Sequence, residues 1–394
     1  MVSEAWLSAW AKTNRDPSSP GDITEWLPLH QHLADTAGVA RRLVDEWVSP
    51  QVLRRLEADL GTIDDVRTVV TWLAAVHDVG KLSPAFAVQA PRLADAMRER
   101  GLVARPQLAY DSDRAKVRHE VVGQLAVRTF LADELGFDYR TTAAQLACIV
   151  GAHHGVPPDS SLKNFVIRQK ELVGDASWEE ARKDTLRWAT DLAGGREMHR
   201  TYATVMVGRP VQALLTAIVI MADWIASNAE LFPLRPLHTA LEPLQHPDPA
   251  STAARVAVAW RARDLPAQWR PQPFGDVATG FAERFGRSPG DIRPVQQAAV
   301  EEAIAQPTPG IVIVEAPMGE GKTEAALLAA EALAARSGAN GCFVALPTRA
   351  TTEAMFGRVL AWMRRLPCLP SDVSVLLAHG TAALNDEYRG LLRA

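Results

Sequence analysis

From the start of the chain to about position 245, apolar residues recur three and four apart in long runs, separated by short polar or Pro/Gly breaks. That spacing lines apolar side chains along one face of a helix and predicts an all-α block. The clearest runs are residues 64–78 (DDVRTVVTWLAAVHD), 118–135, 141–154 and 210–228, and strand-like alternation is almost absent. Residues 242–273 differ: Pro243, Pro247, Pro249, Pro266, Pro271 and Pro273 interrupt them, the composition of a connector. Beyond 274 the pattern changes again. A β-branched run at 311–314 leads through a Gly-rich turn into a helix over 323–335 and a second strand candidate at 342–346; a helix over 352–363 and a third strand candidate at 373–378 follow. This order predicts a βαβ unit with a parallel sheet. The expected domains are therefore 1–245, all-α; 246–273, a Pro-rich linker; and 274–394, a partial α/β domain.

Composition narrows the class. Hydrophobic residues at 47% and charged residues at 22% are ordinary globular values, which excludes collagen-like, coiled-coil and disordered chains. A net charge of -4 supplies no bulk positive field, so any contact with nucleic acid must come from a local patch. The cysteines, Cys148, Cys342 and Cys368, lie far apart with no CxxC pair, which argues against a disulfide framework or a thiolate zinc site. The amino terminus lacks the basic-then-apolar order of a signal peptide, and the longest apolar stretch, 213–221, is short for a bilayer. A cytoplasmic protein without a membrane partner is expected. The end, LNDEYRGLLRA, carries no proline and no polar tail and reads as the middle of a domain, hence a fragment boundary.

Five of the ten histidines fall on or at the end of these helices: His32, His77, His119, His153 and His154, with Asp78 and Asp223 in the same setting. Apolar helix faces seldom hold polar groups without a partner. The dipeptide His77-Asp78, followed by Gly80, sits at a helix carboxyl end, where a carboxylate is unfavourable without a cation. A carboxylate there can bridge two cations while imidazoles fill the remaining positions. His153-His154 before Gly155 repeats the arrangement. Mixed imidazole and carboxylate donors suit Fe, Mn, Co, Ni or Zn better than Mg or Ca. His30, His199, His238 and His246 are read as surface residues, and Trp72 and Trp224 as core aromatics.

The ordered series His32, His77-Asp78, His119, His153-His154 and Asp223 resembles the HD phosphohydrolase superfamily in its paired-histidine form. The local wording HDVGK and ADWIAS is similar to one branch, the HD nuclease domain of the CRISPR-associated nuclease-helicase of type I systems. The resemblance covers about the first 245 residues and implies an HD helical bundle. It also implies two divalent transition-metal ions, with Fe, Mn, Co or Ni favoured. One would be held by His32, His77, Asp78 and Asp223, the other by Asp78, His119, His153 and His154. Lys81 matches a family lysine beside the centre, suited to a scissile phosphate; the residue alone fits a solvated helix end equally. Asp35 could orient His32 or face solvent. The basic stretch Arg98, Arg100, Arg105, Arg114, Lys116 and Arg118 could contact a nucleic-acid backbone or form a solvated face.

The second motif is EAPMGEGKTEAAL, Glu315 onward, after a strand candidate and opening a helix. Backbone N–H groups from Gly319 and Gly321 to Thr323 would ring phosphates, Lys322 would reach the β and γ phosphates, and Thr323 would offer a hydroxyl to Mg²⁺. Ala316 replaces the first glycine of the pattern, a departure seen in helicases of superfamily 2. Upstream, Arg293-Pro294-Val295-Gln296 resembles their adenine-reading glutamine motif; downstream, Ala345 to Arg349 resembles the motif whose Thr348 and Arg349 would touch nucleic acid. The resemblance implies a partial RecA-like domain using ATP and Mg in the full-length form. Asp386-Glu387 follows no buried strand and is rejected as the acidic helicase motif, so ATP hydrolysis and translocation are not expected of this chain. The expected function is a single-stranded DNA nuclease of type I CRISPR defence, working with an RNA-guided surveillance complex by two-metal phosphodiester hydrolysis. The alternatives are an HD phosphohydrolase of nucleotides and an inactive docking fragment.

Overall fold

After a 3-10 turn, Glu4–Ser8, an antiparallel hairpin, β1 (Trp10–Asp16) and β2 (Ser19–Pro28), forms where helices alone are expected. The structure is a computed structural model that describes residues 4–391 except 17–18, 244, 264, 266–267, 308–309, 368 and 370–372; Cys368 and Pro266 lie outside the described residues. The hairpin escapes a periodicity test because of a bulge. Trp10 stands opposite Pro28 and Lys12 opposite Leu27, so Ala11 is an extra residue and the alternation slips by one. Trp10, Ala11, Trp26 and Leu27 are all buried. A short β3 (Arg235–Pro236) pairs with β2 and completes a three-stranded sheet in the order β1-β2-β3.

The chain divides into two units, Met1–Val48 with Val52–Arg263, and Ser49–Gln51 with Asp264–Ala394. In the first, the site-bearing helices are α1 (Leu29–Glu46), α2 (Ile63–Val76), α3 (His119–Leu135), α4 (Thr142–Gly151), α5 (Ala176–Leu192) and α6 (Arg209–Ala226). α1 packs on α2 and α6, α3 packs on α4, and α5 covers α2 and α3. The start of α2 is set by a capping box: the Thr62 hydroxyl accepts from the Asp65 amide at 3.3 Å and the Asp65 carboxylate accepts from the Thr62 amide at 2.7 Å. Val66, Val70, Leu73 and Ala74, at helical spacing, are fully buried. α6 is 18 residues, longer than the apolar stretch at 213–221, and by length and composition could cross a bilayer. Its packing against α1, α2 and α4, with Asp223 buried, makes it a core helix of this unit.

The segment expected to be a connector contains a further helix, α7 (Pro249–Ala262), packed on α1. Pro249 occupies its first turn, where proline is tolerated, and Asp248 caps it by accepting from the Ser251 amide at 2.7 Å. Trp260 of α7 donates from Nε1 to Glu46 Oε2 at 2.6 Å, and Arg255 donates from Nε to Asp35 Oδ2 at 2.9 Å. Asp35 is fully buried and also accepts from Gln31 at 3.0 Å, so it ties α1 to α7 instead of serving His32 or facing solvent. Two histidines read as surface residues are buried: His30 beside Trp6, and His199 beside Trp72. Neutral imidazole is apolar enough to pack on indole, which a rule assigning unmatched histidines to the surface overlooks.

In the second unit α8 (Val277–Phe285), α9 (Pro294–Ala305) and α10 (Lys322–Ser337) enclose a core of Phe281, Val300, Ala303, Leu328 and Ala332, and Trp362 of α11 (Arg349–Met363) packs in a second cluster with Leu327 and Ala334 of α10. α10 and α11 fall where helices are expected. The strand expectations do not hold among the described residues: 311–314, 342–346 and 373–378 form no ladder, and Ile311, Ile313 and Phe343 are 86%, 85% and 86% exposed. A β-branched run becomes a strand only when neighbours pair its amides and carbonyls, and no described segment does so here.

Candidate metal centre and nucleotide loop

Asp78 is the hub of the first unit. His77 caps the end of α2, and Asp78 leads into a single 3-10 turn, Val79–Lys81. That turn presses on the start of α3 because residue 80 lacks a side chain: a Cβ there would lie 1.9 Å from the His119 carbonyl oxygen and 2.5 Å from the Gly123 nitrogen. Gly80 therefore permits a close approach, beyond the helix stop read from sequence. Asp78 Oδ2 lies 3.2 Å from His32 Nε2 and 3.4 Å from His77 Nε2, while Oδ1 lies 3.2 Å from His119 Nε2 and 3.5 Å from His153 Nε2. Each oxygen faces its own pair of imidazoles. On the Oδ2 side, Asp223 Oδ1 approaches His32 Nε2 at 3.2 Å and His77 Nε2 at 3.6 Å. On the Oδ1 side, His154 Nε2 stands 3.0 Å from His119 Nε2.

All seven residues thus converge as two groups, His32, His77, Asp78 and Asp223, and His119, His153 and His154, each with potential ligand atoms within 4.8 Å of one another. The histidine tautomers follow from the backbone. His77 Nδ1 donates to the Ala74 carbonyl at 2.8 Å and His153 Nδ1 to the Val150 carbonyl at 2.6 Å. A neutral imidazole holding its proton on Nδ1 presents a bare lone pair at Nε2. The Nε2 atoms of His32, His77 and His153 have no hydrogen-bond partner among the described residues. Lone pairs aimed at carboxylate oxygens in a buried place repel unless a cation lies between them. The donor set fits divalent cations of the transition series, and the first unit binds divalent metal.

Burial pushes the His77 imidazole down, but with no cation between them Asp78 and Asp223 outweigh it and raise it to about 9. A proton on Nε2 thus relieves the repulsion there, and a divalent cation would take that proton's place. Burial opposes the charge on Asp78, yet Lys81 and His77 hold its carboxyl well below the usual range. Burial dominates at the outer imidazoles, lowering His119 and taking His154 to about 4, which keeps them neutral and able to donate lone pairs.

Lys81 is buried, not solvated: Nζ lies 2.5 Å from Asp78 Oδ2 and donates to the Ala11 carbonyl at 3.2 Å. That carbonyl belongs to the bulge residue of β1. The next residue, Lys12, sends Nζ to within 3.8 Å of Asp223 Oδ1. Lys12 carried no signal in the helical periodicity, because it belongs to the hairpin. Ser227, one turn after Asp223, donates from Oγ to its Oδ1 at 2.7 Å, and the spacing within ADWIAS could have shown it. Trp72 is core, at 1% exposed, but Trp224 is 71% exposed. Consecutive helix residues point about 100° apart, and Asp223 takes the inward direction.

In the second unit Gly319 and Gly321 adopt left-handed φ of 87° and 78°, and Gly321 caps α10. Gln296 meets this loop, donating from Nε2 to the Gly321 carbonyl at 3.2 Å. Lys322 Nζ donates to the carbonyls of Ala316 and Pro317 at 2.5 and 2.9 Å. Gln296, Gly319, Gly321, Lys322 and Thr323 line one cavity of about 380 Å³ with Arg287 and Arg293. Thr348 and Arg349 are not in that cavity; Thr348 caps α11 by accepting from the Thr351 amide at 3.2 Å, and both residues are exposed.

A helical unit in which one carboxylate is shared by two groups of imidazoles defines a metal-dependent hydrolase of the HD type. Residues 10–232, more than half of the chain, match the family model "Cas3, HD domain", and the chain belongs to that family. Residues 293–389 match the model "DEAD/DEAH box helicase". The CRISPR-associated nuclease/helicase Cas3 of Streptococcus thermophilus is 31% identical over 408 residues, covering 98% of this chain and 41% of the relative. The CRISPR-associated endonuclease/helicase Cas3 of Thermus thermophilus is 32% identical over 403 residues, covering 99% of this chain and 39% of the relative. A solved structure described as a CRISPR-associated protein superposes with a TM-score of 0.71 at 32% identity, covering 92% of this chain and 38% of that one. The chain thus spans about two fifths of the length of these relatives.

Proposed function

We propose that this chain is a nuclease of type I CRISPR defence that hydrolyses phosphodiesters of single-stranded DNA at a centre for two divalent cations. The observation that carries the reading is the division of Asp78, with Oδ2 at 3.2 Å from His32 and Oδ1 at 3.2 Å from His119. His32, His77, Asp78 and Asp223 would hold one ion and Asp78, His119, His153 and His154 the other; the donors suit divalent transition ions, and the family resemblance favours Fe, Mn, Co or Ni among them. When bound, such ions supply Lewis-acid stabilisation of charge developing on phosphate oxygens. The Nδ1–H bonds of His77 and His153 fix ring orientation, so Nε2 keeps its lone pair directed inward. Lys81, anchored by the Ala11 carbonyl, and Lys12, beside Asp223, offer two ammonium groups to non-bridging phosphate oxygens. Without metal, Lys12, Lys81 and a protonated His77 face Asp78 and Asp223; divalent ions in place of that proton would add positive charge, which an anionic phosphodiester compensates.

The domain assignment is an HD nuclease domain over 1–245, a connecting region over 246–273 that includes α7, and a partial RecA-like domain over 274–394. In that last part Gln296, Gly319, Gly321, Lys322 and Thr323 would take ATP with Mg, and Thr348 and Arg349 would meet nucleic acid. The names of the two curated relatives support a nuclease that partners DNA in a CRISPR system, and we place it in the cytoplasm with an RNA-guided surveillance complex.

The test is incubation of the metal-loaded chain with circular single-stranded DNA. Loss of the circle, abolished by Asp78→Asn by a factor on the order of 10³, is the expected result. Turnover of free nucleotides with the circle intact would replace this reading by a nucleotide phosphohydrolase.

A further inference from the structure

The six basic residues ahead of α3 are not equivalent in the fold. Arg98 pairs with Asp95 at 2.7 Å, Arg105 with Glu171 at 2.5 Å, Lys116 with Asp113 at 2.8 Å, and Arg118 with Glu120. Arg100 donates to the carbonyls of Ala96 and Glu242 at 3.1 and 2.9 Å. Of the six, Arg114 alone has no ion pair or hydrogen bond for its side chain among the described residues, although it is half-buried.

Arg114 lines a cavity of about 460 Å³ with Phe86, Gln89, Arg118, His119, Glu120 and His154, where the Glu120 carboxylate is paired with Arg118. His119 and His154 belong to the outer imidazole group, so the cavity borders that group, whose His119 Nε2 lies 3.2 Å from Asp78 Oδ1. The amino end of α3 lies on the same cavity, and its N-cap, Arg118, makes no side-chain cap bond, so the positive end of the helix dipole adds to the guanidinium. The Arg114 guanidinium is partly open to solvent in this cavity, and its five N–H donors match a phosphate in a forked geometry.

We propose that Arg114 binds the phosphodiester flanking the scissile one, gripping its non-bridging oxygens as a nucleic-acid strand crosses this cavity toward Asp78. The proposal rests on the nuclease reading and deepens it, since it assigns the substrate's approach to the His119 and His154 side. Arg114 is a positioning and binding residue; it does not take part in bond cleavage.

The test uses the full metal-loaded chain. Wild type, Arg114→Gln, Arg114→Lys and Arg105→Gln are compared in cleavage of a single-stranded DNA oligomer, and in oligomer binding by fluorescence anisotropy to metal-free protein across salt concentrations. Arg114→Gln should raise KM about tenfold with kcat within about twofold. It should also flatten the slope of log affinity against log salt by about 0.7, the share of one phosphate on a single strand. Arg114→Lys should restore most of the slope, and Arg105→Gln should leave it at the wild-type value. Equal flattening by Arg105→Gln, or an unchanged slope in Arg114→Gln, would overturn the proposal. A wild-type chain that hydrolyses neither the oligomer nor bis(p-nitrophenyl) phosphate indicts the nuclease reading, while the anisotropy series still judges Arg114.

Discussion

Gly80 lies against His119 so tightly that a single methyl at position 80 would sit 1.9 Å from the His119 carbonyl oxygen. The contact brings the turn bearing Asp78 and Lys81 onto the helix bearing His119, so both imidazole groups depend on it. Gly80→Ala should cost more than about 3 kcal/mol, because backbone must move on both sides. Thermal unfolding measures the loss. Gly155→Ala is the comparison: φ there is +99° with no atom near the added Cβ, so only left-handed strain of about 1 kcal/mol is expected.

Lys12 should matter to turnover without holding metal. Its ammonium is 3.8 Å from Asp223 and partly open to solvent, with 32% of the side chain exposed. Lys12→Gln should lower kcat/KM on single-stranded DNA about tenfold, the worth of one charge-assisted contact to phosphate, with bound metal unchanged by mass spectrometry. Loss of metal together with activity would show that Lys12 serves the ligand set instead.

His199 should make the first unit sensitive to acid. Burial pushes its imidazole from 6.5 down to about 4. Between those values the unfolded chain binds a proton that the folded chain does not, so stability falls as pH drops through that window. His199→Leu should remove about 2 kcal/mol of the loss between pH 7 and pH 4.5. Chemical denaturation of both proteins at the two pH values measures it, and parallel losses would refute it.

The contact of Gln296 with the phosphate loop predicts a coupled pair. A Cβ at position 321 would lie 2.2 Å from Gln296 Nε2, and φ there is +78°. Gly321→Ala should displace the glutamine, strain the loop and weaken ATP at least about tenfold, as should Gln296→Ala by losing its bond to the Gly321 carbonyl. Titration with a fluorescent ATP analogue checks both. The double variant should lose little more than either single change, since the two residues act through one contact.

Much of the centre was legible in the chain itself. His77-Asp78 and His153-His154 sit at helix ends next to Gly80 and Gly155, and helical spacing carries His32 and Asp223 inward. A carboxylate at a helix carboxyl terminus is a local electrostatic statement, readable without tertiary structure. The order from phosphate loop to α10 was legible too, because left-handed glycines and a following helix are local requirements. The hairpin, Lys12, the helix α7 and the burial of His30 and His199 were not, since each depends on a partner distant in sequence. So do the expected strands at 311–314, 342–346 and 373–378, which have no partners among the described residues.

By itself, then, the sequence determined which side chains gather at the candidate centre and which ends of which helices present them, because capping, periodicity and the helix dipole act within a few residues. Only the tertiary structure decided how that chemistry is partitioned. It directs one oxygen of Asp78 to His32 and His77 and the other to His119 and His153. It delivers Lys12 and anchors Lys81 through a bulged strand, and among the described residues it leaves Arg114 alone of six cations unpaired beside the outer histidines. Those outcomes depend on long-range packing, in which a charge's role is set by what the fold places next to it.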